Sequence, residues 1–246
     1  MRALIATPTA GGVTTTAYTQ SVVAATIAIH EVGGTYRHLS VDGADVVIGR
    51  NLLAHSMLSD PACSHILFID SDMAIDLGVF RHIIALKEPM VGAAYTERRM
   101  DLGAFARALG EDPNEDRAKA IASNFTVRVE PGEVKVSRGV CKVKAVGFGC
   151  VLIAREVFEA LIAREIVKPF VSSKIRDLGL KDEIYDFFDE IEIEDGDWLS
   201  EDYAFCRRVR ELGDVDILAY IGKGVGHVGP FTYGGSYLER MKTGKV

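Results

Sequence analysis

Apolar and polar positions along the first hundred residues switch between two periods, and the switching predicts strand and helix in turn. Residues 4–7 form a short apolar run ended by Pro8, the pattern of a buried strand. Tyr18, Val22, Ala25, Ile29 and Val32 then recur at spacings of four and three, the stripe of an amphipathic helix, and Gly33-Gly34 stops it. Residues 35–41 read as a second strand and 44–58 as a second helix. The run Ile66-Leu67-Phe68-Ile69 is apolar without a break, as in a strand buried on both faces of a sheet. Leu77, Phe80 and Ile84 mark one face of a third helix, and residues 89–93 a fourth strand. Such alternation predicts an α/β fold, a doubly wound and mostly parallel sheet with its ligand site at the carboxyl ends of the strands.

The second half has a different texture. Residues 101–124 form a charged, Ala-rich helical stretch broken at Gly110 and Pro113, a surface excursion. Phe125, Val127 and Val129 alternate with polar residues, Pro131-Gly132 turns, and Val134 and Val136 alternate again, which predicts a β-hairpin. Residues 142–146 read as another strand. Gly147-Phe148-Gly149-Cys150 leads into Val151-Leu152-Ile153 and a helix carrying Val157, Phe158, Leu161 and Ile162. Residues 181–197 read as acidic loop with one strand near Ile191, and 201–212 as a helix burying Phe205, Val209 and Leu212. Residues 222–235 are glycine-rich, hence mobile or moulded by a ligand. No repeat or linker divides the chain, so two lobes would share one core.

Composition narrows the partners. With 48% hydrophobic and 26% charged residues the chain is ordinary for a globular protein. A net charge of −7 leaves no global basic footprint, so a nucleic-acid partner would need a local patch. Cys63, Cys141, Cys150 and Cys206 show no close pairing and fall in apolar or helical patterns, as expected of reduced cysteines in a cytoplasmic protein. The apolar start at residues 1–6 is too short for a signal peptide, and residues 22–29 fall far short of a membrane span.

Four places carry polar residues that a core does not need. Asp70-Ser71-Asp72 ends the apolar third strand, and two carboxylates there repel each other and call for a cation; the bland alternative is a solvated turn. Glu201 and Asp202 open a helix behind Ser200, a good N-cap with acids that suit the helix dipole, yet a carboxylate facing a cleft also serves as a general base. His227, within Gly226-His227-Val228-Gly229, is either a hydrogen-bonded structural residue or a metal ligand. Arg50, in Gly49-Arg50-Asn51, is either a solvated helical arginine or a fork for phosphate.

Taken in order, Thr7-Pro8, Arg50-Asn51-Leu52-Leu53, Asp70-Ser71-Asp72, Gly92-Ala93-Ala94-Tyr95, Gly147-Phe148-Gly149-Cys150, Ser200-Glu201-Asp202-Tyr203-Ala204-Phe205 and Gly226-His227-Val228-Gly229 span nearly the whole chain. The set resembles the GT-A-fold, metal-dependent (Asp-x-Asp) glycosyltransferases that use nucleotide-sugar donors. The resemblance implies a nucleotide-sugar-binding half at 1–96 and an acceptor-binding, catalytic half at 97–246 within one compact domain. It implies that Asp70 contacts the donor ribose or the metal, that Asp72 ligates Mn²⁺ or Mg²⁺, and that His227 is a further ligand. Thr7 and Pro8 would line the base and ribose pocket with Ser71 beside them. Arg50 would lie near the nucleotide, and Arg98 or Arg99 near the diphosphate or acceptor. Asp202 would be the base of an inverting transfer, with Glu201 second, and residues 147–150 would border the sugar. UDP stands ahead of GDP as carrier; the acceptor is a hydroxyl on a glycan, a lipid-linked sugar, a protein or a modified nucleic-acid base. The rivals are a sugar-nucleotide nucleotidyltransferase, an Asp-x-Asp phosphohydrolase and a non-catalytic nucleotide-sugar-binding module. The 101–145 excursion matches nothing in the family.

Overall fold

The computed structural model describes residues 1–43, 45–130, 132, 134–170, 184–193, 198–229 and 232–244. Its first half runs β1 (Arg2–Thr9), α1 (Thr16–Glu31), β2 (Thr35–Asp42), α2 (Val46–Leu58), β3 (His65–Ile69), β4 (Met73–Ile75), α3 (Leu77–Leu86), β5 (Met90–Ala93) and β6 (Thr96–Met100). The excursion follows as α4 (Leu102–Glu111) and α5 (Glu115–Ala122). Then come the short strands β7 (Ser123–Phe125), β8 (Val127–Arg128), β9 (Val136–Ser137), β10 (Val140–Lys142) and β11 (Ala145–Val146). The chain continues through β12 (Cys150–Ala154), α6 (Arg155–Ala163), β13 (Pro169–Phe170), β14 (Ile184–Tyr185), β15 (Ile191–Glu192) and β16 (Trp198–Leu199). It closes with α7 (Glu201–Leu212), β17 (Leu218–Tyr220), β18 (Val225–Val228), β19 (Thr232–Gly234) and α8 (Tyr237–Met241).

One eight-stranded sheet, in the order β2-β1-β3-β12-β5-β17-β10-β9, organises these elements. Six strands point one way; β12 and β10 run against them, because β12 pairs antiparallel with both β3 and β5 and β10 does so with β17 and β9. Side chains alternate across each strand, so the sheet buries both faces. Leu4, Ala6, Ile66, Phe68, Val151 and Ile153 pack with α2, α6 and α7 on one side. Ala3, Ile5, Leu67, Ile69 and Leu152 pack with α1 and α3 on the other. The result is a three-layer α/β molecule whose core draws on both halves of the chain. Among the described residues no helix is long and apolar enough to cross a membrane, and all four cysteines are buried and unpaired.

Several local expectations need correcting. Val32, placed on the apolar stripe of α1, is 54% exposed, while Ser21 is buried in its stead; its hydroxyl accepts from Ile75 N–H and reaches Met73 O, fastening α1 to β4. The predicted hairpin does not form: β8 pairs with β11 and β9 with β10, and Pro131 of its turn lies outside the described residues. The strand expected at 142–146 is divided between β10 and β11, in different sheets. Part of the 181–197 stretch, Ala44 and residues 230–231 also lie outside the described residues. The glycine-rich end, expected to be mobile or moulded by a ligand, supplies β18 between β4 and β19. Two-residue strands carry too little pattern to name their partners.

Candidate functional site

The carboxyl ends of β1 and β3 and the start of α7 meet around a cavity of about 250 Å³. β1 brings Pro8 and Thr9, the start of α2 brings Asp45 and Gly49, and the turn after β3 brings Asp70, Ser71 and Asp72. That turn is tight: Met73 N–H donates to Asp70 O, Asp70 N–H to Gly149 O, and Val228 N–H to Asp72 O. Thr15, the N-cap of α1, donates from its backbone N–H to Ser71 O. Each of the three residues is thereby held by a different element.

Arg50 is the one cation of the wall among the described residues and is only 3% exposed. Its Nη2 donates to Asp70 Oδ1 and Oδ2 at 3.0 and 3.3 Å, and its Nε stands 3.4 Å from Glu201 Oε1. The guanidinium carbon rests 5.5 Å from the Phe68 ring and 5.4 Å from that of Phe148, so aromatic faces cover the Nε and Nη1 hydrogens that find no acceptor among the described residues. Burial works against its charge, but Asp70, Glu201 and Asp202 outweigh that and hold it ionised. Arg50 was expected either to be a solvated helical arginine or to fork onto a phosphate. It is instead a buried counter-ion for two acids.

The acids respond to the same surroundings. Burial pushes the Asp70 carboxyl up, Arg50 opposes this and the charge of Asp72 adds to it, leaving Asp70 above its ordinary value. Glu201 is raised as well, by burial first, against the pull of Arg50. Burial works to raise Asp72 too, but the hydrogen bond and charge of His227, with Arg98, bring it below the usual range. Beneath them the buried Tyr95 hydroxyl accepts from Gly149 N–H at 3.2 Å and is pushed well up by burial and by Asp70 and Asp202.

His227 is fixed from both ends. Its Nδ1 lies 3.0 Å from Thr96 O and its Nε2 3.2 Å from Asp72 Oδ2, with the ring edge-on to Tyr95 at 5.3 Å. A carbonyl oxygen only accepts, so Nδ1 carries the hydrogen. In a neutral imidazole Nε2 is then a lone pair facing a carboxylate lone pair. That contact calls for a proton or a cation between the two atoms. Arg98, 53% exposed, approaches the same Oδ2 at 3.1 Å. The expected trio of ligands is not assembled: among the described residues no three His, Cys, Asp or Glu side chains gather into a group able to hold an ion, and Asp70 is turned to Arg50. What stands is the pair Asp72–His227, one hard carboxylate and one imidazole. A divalent cation that takes its remaining ligands from phosphate and water fits that set.

The two acids of α7 part company. Glu201 turns to Arg50 and lines the cavity, whereas Asp202 does not. Asp202 Oδ1 accepts from the Ser200 hydroxyl at 2.5 Å and from Tyr203 N–H at 2.8 Å, and Oδ2 carries no partner among the described residues. Ser200, expected to cap the helix with its hydroxyl, occupies the N-cap position but uses that hydroxyl on Asp202.

Two further expectations fail on geometry. Thr7 is fully buried, with its hydroxyl 2.6 Å from Tyr18 Oη, which in turn meets His38 Nε2 at 2.9 Å; its place in the wall is taken by Thr9. Residues 147–150 offer nothing to a ligand, since Phe148 and Cys150 are fully buried. A Cβ on Gly149 would stand 2.7 Å from the Tyr95 ring, and one on Gly147 2.7 Å from its hydroxyl, so close packing on Tyr95 explains both glycines. Asp45 and Gly49 were missed. Asp45 was legible as the N-cap of α2, whose side chain accepts from Ile48 N–H.

Larger cavities lie elsewhere: one of about 630 Å³ at the opposite end of the sheet, walled by Met1, His65 and Arg155, and one of about 720 Å³ beyond Tyr203.

No family model and no curated protein matches the chain. Eighteen solved chains do. Among them is the crystal structure of A197 from STIV, 15% identical, with a TM-score of 0.45 over 93% of this chain and 86% of that one.

Proposed function

We propose that the chain is a glycosyltransferase that moves a sugar from a nucleotide-diphosphate sugar to an acceptor hydroxyl, with Mn²⁺ or Mg²⁺ held by Asp72 and His227. The observation that carries the reading is the Nε2–Oδ2 contact of 3.2 Å, which brings one imidazole and one carboxylate of the acidic wall within reach of a single ion. The wall makes the same demand, since Asp45, Asp70, Asp72 and Glu201 surround a single Arg50 and a bare diphosphate would be repelled. When bound, the cation supplies charge neutralisation for the departing diphosphate.

The chain's own residues do the rest. Pro8 and Thr9 flank the nucleoside, with UDP ahead of GDP as its carrier. Asp70, 26% exposed at its side chain, accepts from ribose hydroxyls while Arg50 fixes its plane. Asp202 Oδ2 takes the proton of the acceptor hydroxyl. The acceptor oxygen forms its bond to the anomeric carbon, and the bond from that carbon to the diphosphate oxygen breaks with its electron pair. The products are the glycoside and the nucleoside diphosphate, with configuration inverted by a single displacement. A phosphohydrolase would need Asp70 free to attack phosphorus, yet both of its oxygens receive Arg50 Nη2.

Release of UDP from UDP-sugars in the presence of Mn²⁺ tests the assignment. Asp202→Asn is expected to keep donor binding and lose roughly 10²–10⁴-fold in turnover. Turnover at the parent rate would remove Asp202 from its role, and no release from any UDP- or GDP-sugar would remove the reading.

A further inference from the structure

The cavity of about 720 Å³ beyond Tyr203 falls within the ~300–1,000 Å³ range of small-molecule sites. Its wall comes largely from residues 124–130, part of the excursion that matches nothing in the family, and it is closed by α7 and α8. It adjoins the base along the chain: Glu201 lines the first cavity, Tyr203 lines the second, and Asp202 is the residue between them in sequence.

Its lining is of two kinds. Phe125 and Tyr237 meet edge to face at 5.1 Å, and the Tyr203 ring lies under the Arg128 guanidinium at 4.8 Å. Beside these ring faces stand polar groups with unused capacity. The Glu97 carboxylate and the Asn124 amide make no hydrogen bond or ion pair among the described residues, and Arg128 has no carboxylate partner there. A ligand for this wall needs flat apolar C–H surface for the rings, with donors for a carboxylate and acceptors for a guanidinium on its edges. A lipid tail would leave the three polar groups unpaired. The wall carries Arg128, Lys144 and Arg240 beside Glu97 and Glu130, but Lys144 pairs with Glu130 at 2.8 Å and Arg240 donates to Ser123 O, which leaves little cationic surface for a nucleic-acid backbone. A pyranose presents an apolar ring face and hydroxyls that both donate and accept.

From this wall we propose that the second cavity binds a saccharide and that this saccharide is the acceptor of the transfer. The second clause rests on the glycosyltransferase reading; the first does not. The acceptor hydroxyl gives its proton to Asp202 Oδ2 and its oxygen to the anomeric carbon, and the nucleoside diphosphate leaves with the electron pair of the broken bond.

Saturation-transfer NMR on the full chain, with glucose, galactose, mannose, N-acetylglucosamine and their disaccharides as probes, tests the cavity without nucleotide. At least one sugar is expected to receive saturation. Phe125→Ala and Glu97→Gln are each expected to weaken it about ten-fold, the loss of one packed ring or one charged hydrogen bond. Folding of the variants is checked by circular dichroism. No transfer to any sugar, transfer that persists in both variants, or binding of a single-stranded RNA oligonucleotide in place of any sugar would overturn the proposal. UDP binding with Mn²⁺, measured on the same samples, separates the two claims: sugar binding without UDP binding keeps the cavity and overturns its acceptor role.

Discussion

Arg50 governs the arrangement of the acids. Without it, Asp70 and Glu201 would sit buried with no counter-ion, so Arg50→Met is expected to cost ~3–5 kcal/mol, the usual penalty for breaking a buried pair from one side. Urea unfolding measures this, and a loss below ~1 kcal/mol would show that the charges are better solvated than their 26% and 16% side-chain exposure indicates. The acids also give opposite pH signatures. Glu201 is raised on folding from its ordinary 4.5, so its ionisation costs stability; the cost is absent below about pH 4.5 and complete once the pH has passed the folded value. Asp72 is lowered from 3.8, so its contribution is present above that pH and is lost as the pH falls through the folded value beneath it. Glu201→Gln should therefore gain on the parent as the pH rises above about 4.5, and the deficit of Asp72→Asn should close below about 3.8; differences flat with pH in urea melts would contradict both. Arg50 was readable as a site residue but not as a buried one, because Asp70 and Glu201 reach it only through the fold. Thr7 was not readable as buried, because Thr9 shares its strand face and yet lines the cavity.

At the scale of elements, the long periodic segments were legible and the short ones were not. α1, α2 and α3 begin and end within a few residues of their sequence-predicted bounds, because apolar stripes and capping residues mark them. The antiparallel entry of β12 between β3 and β5 was not legible, since an apolar run states burial and not direction. Nor was the cap on α2. Arg155, at the start of α6, donates to Met57 O, Leu58 O, Asp60 O and Cys63 O at 2.7 to 3.2 Å, so one guanidinium gathers carbonyls at the end of α2 and in the turn beyond it. Arg155→Met is expected to destabilise by about 2–3 kcal/mol in urea titration while UDP binding persists, because the site lies at the other end of the sheet. A variant of parent stability would mean that water replaces the guanidinium freely.

Over the whole molecule, the two halves build one core, and the candidate site uses residues from both: Pro8, Thr9, Asp70 and Asp72 from the first, Glu201, Asp202 and His227 from the second. The ordered set of motifs was enough to expect these groups, Thr9 excepted, in one place. It did not show that Asp70 faces an arginine, or that of the two acids of α7 Glu201 lines the acidic cavity and Asp202 does not. The account therefore turns on whether the acidic cavity takes a cation together with a nucleoside diphosphate. Electron paramagnetic resonance of free Mn²⁺, titrated with the protein in the presence and absence of UDP and GDP, measures this directly. The free-ion signal is expected to fall when protein and UDP are both present, and Asp72→Asn is expected to restore most of it. A signal unchanged by the parent protein with either nucleotide would contradict the account.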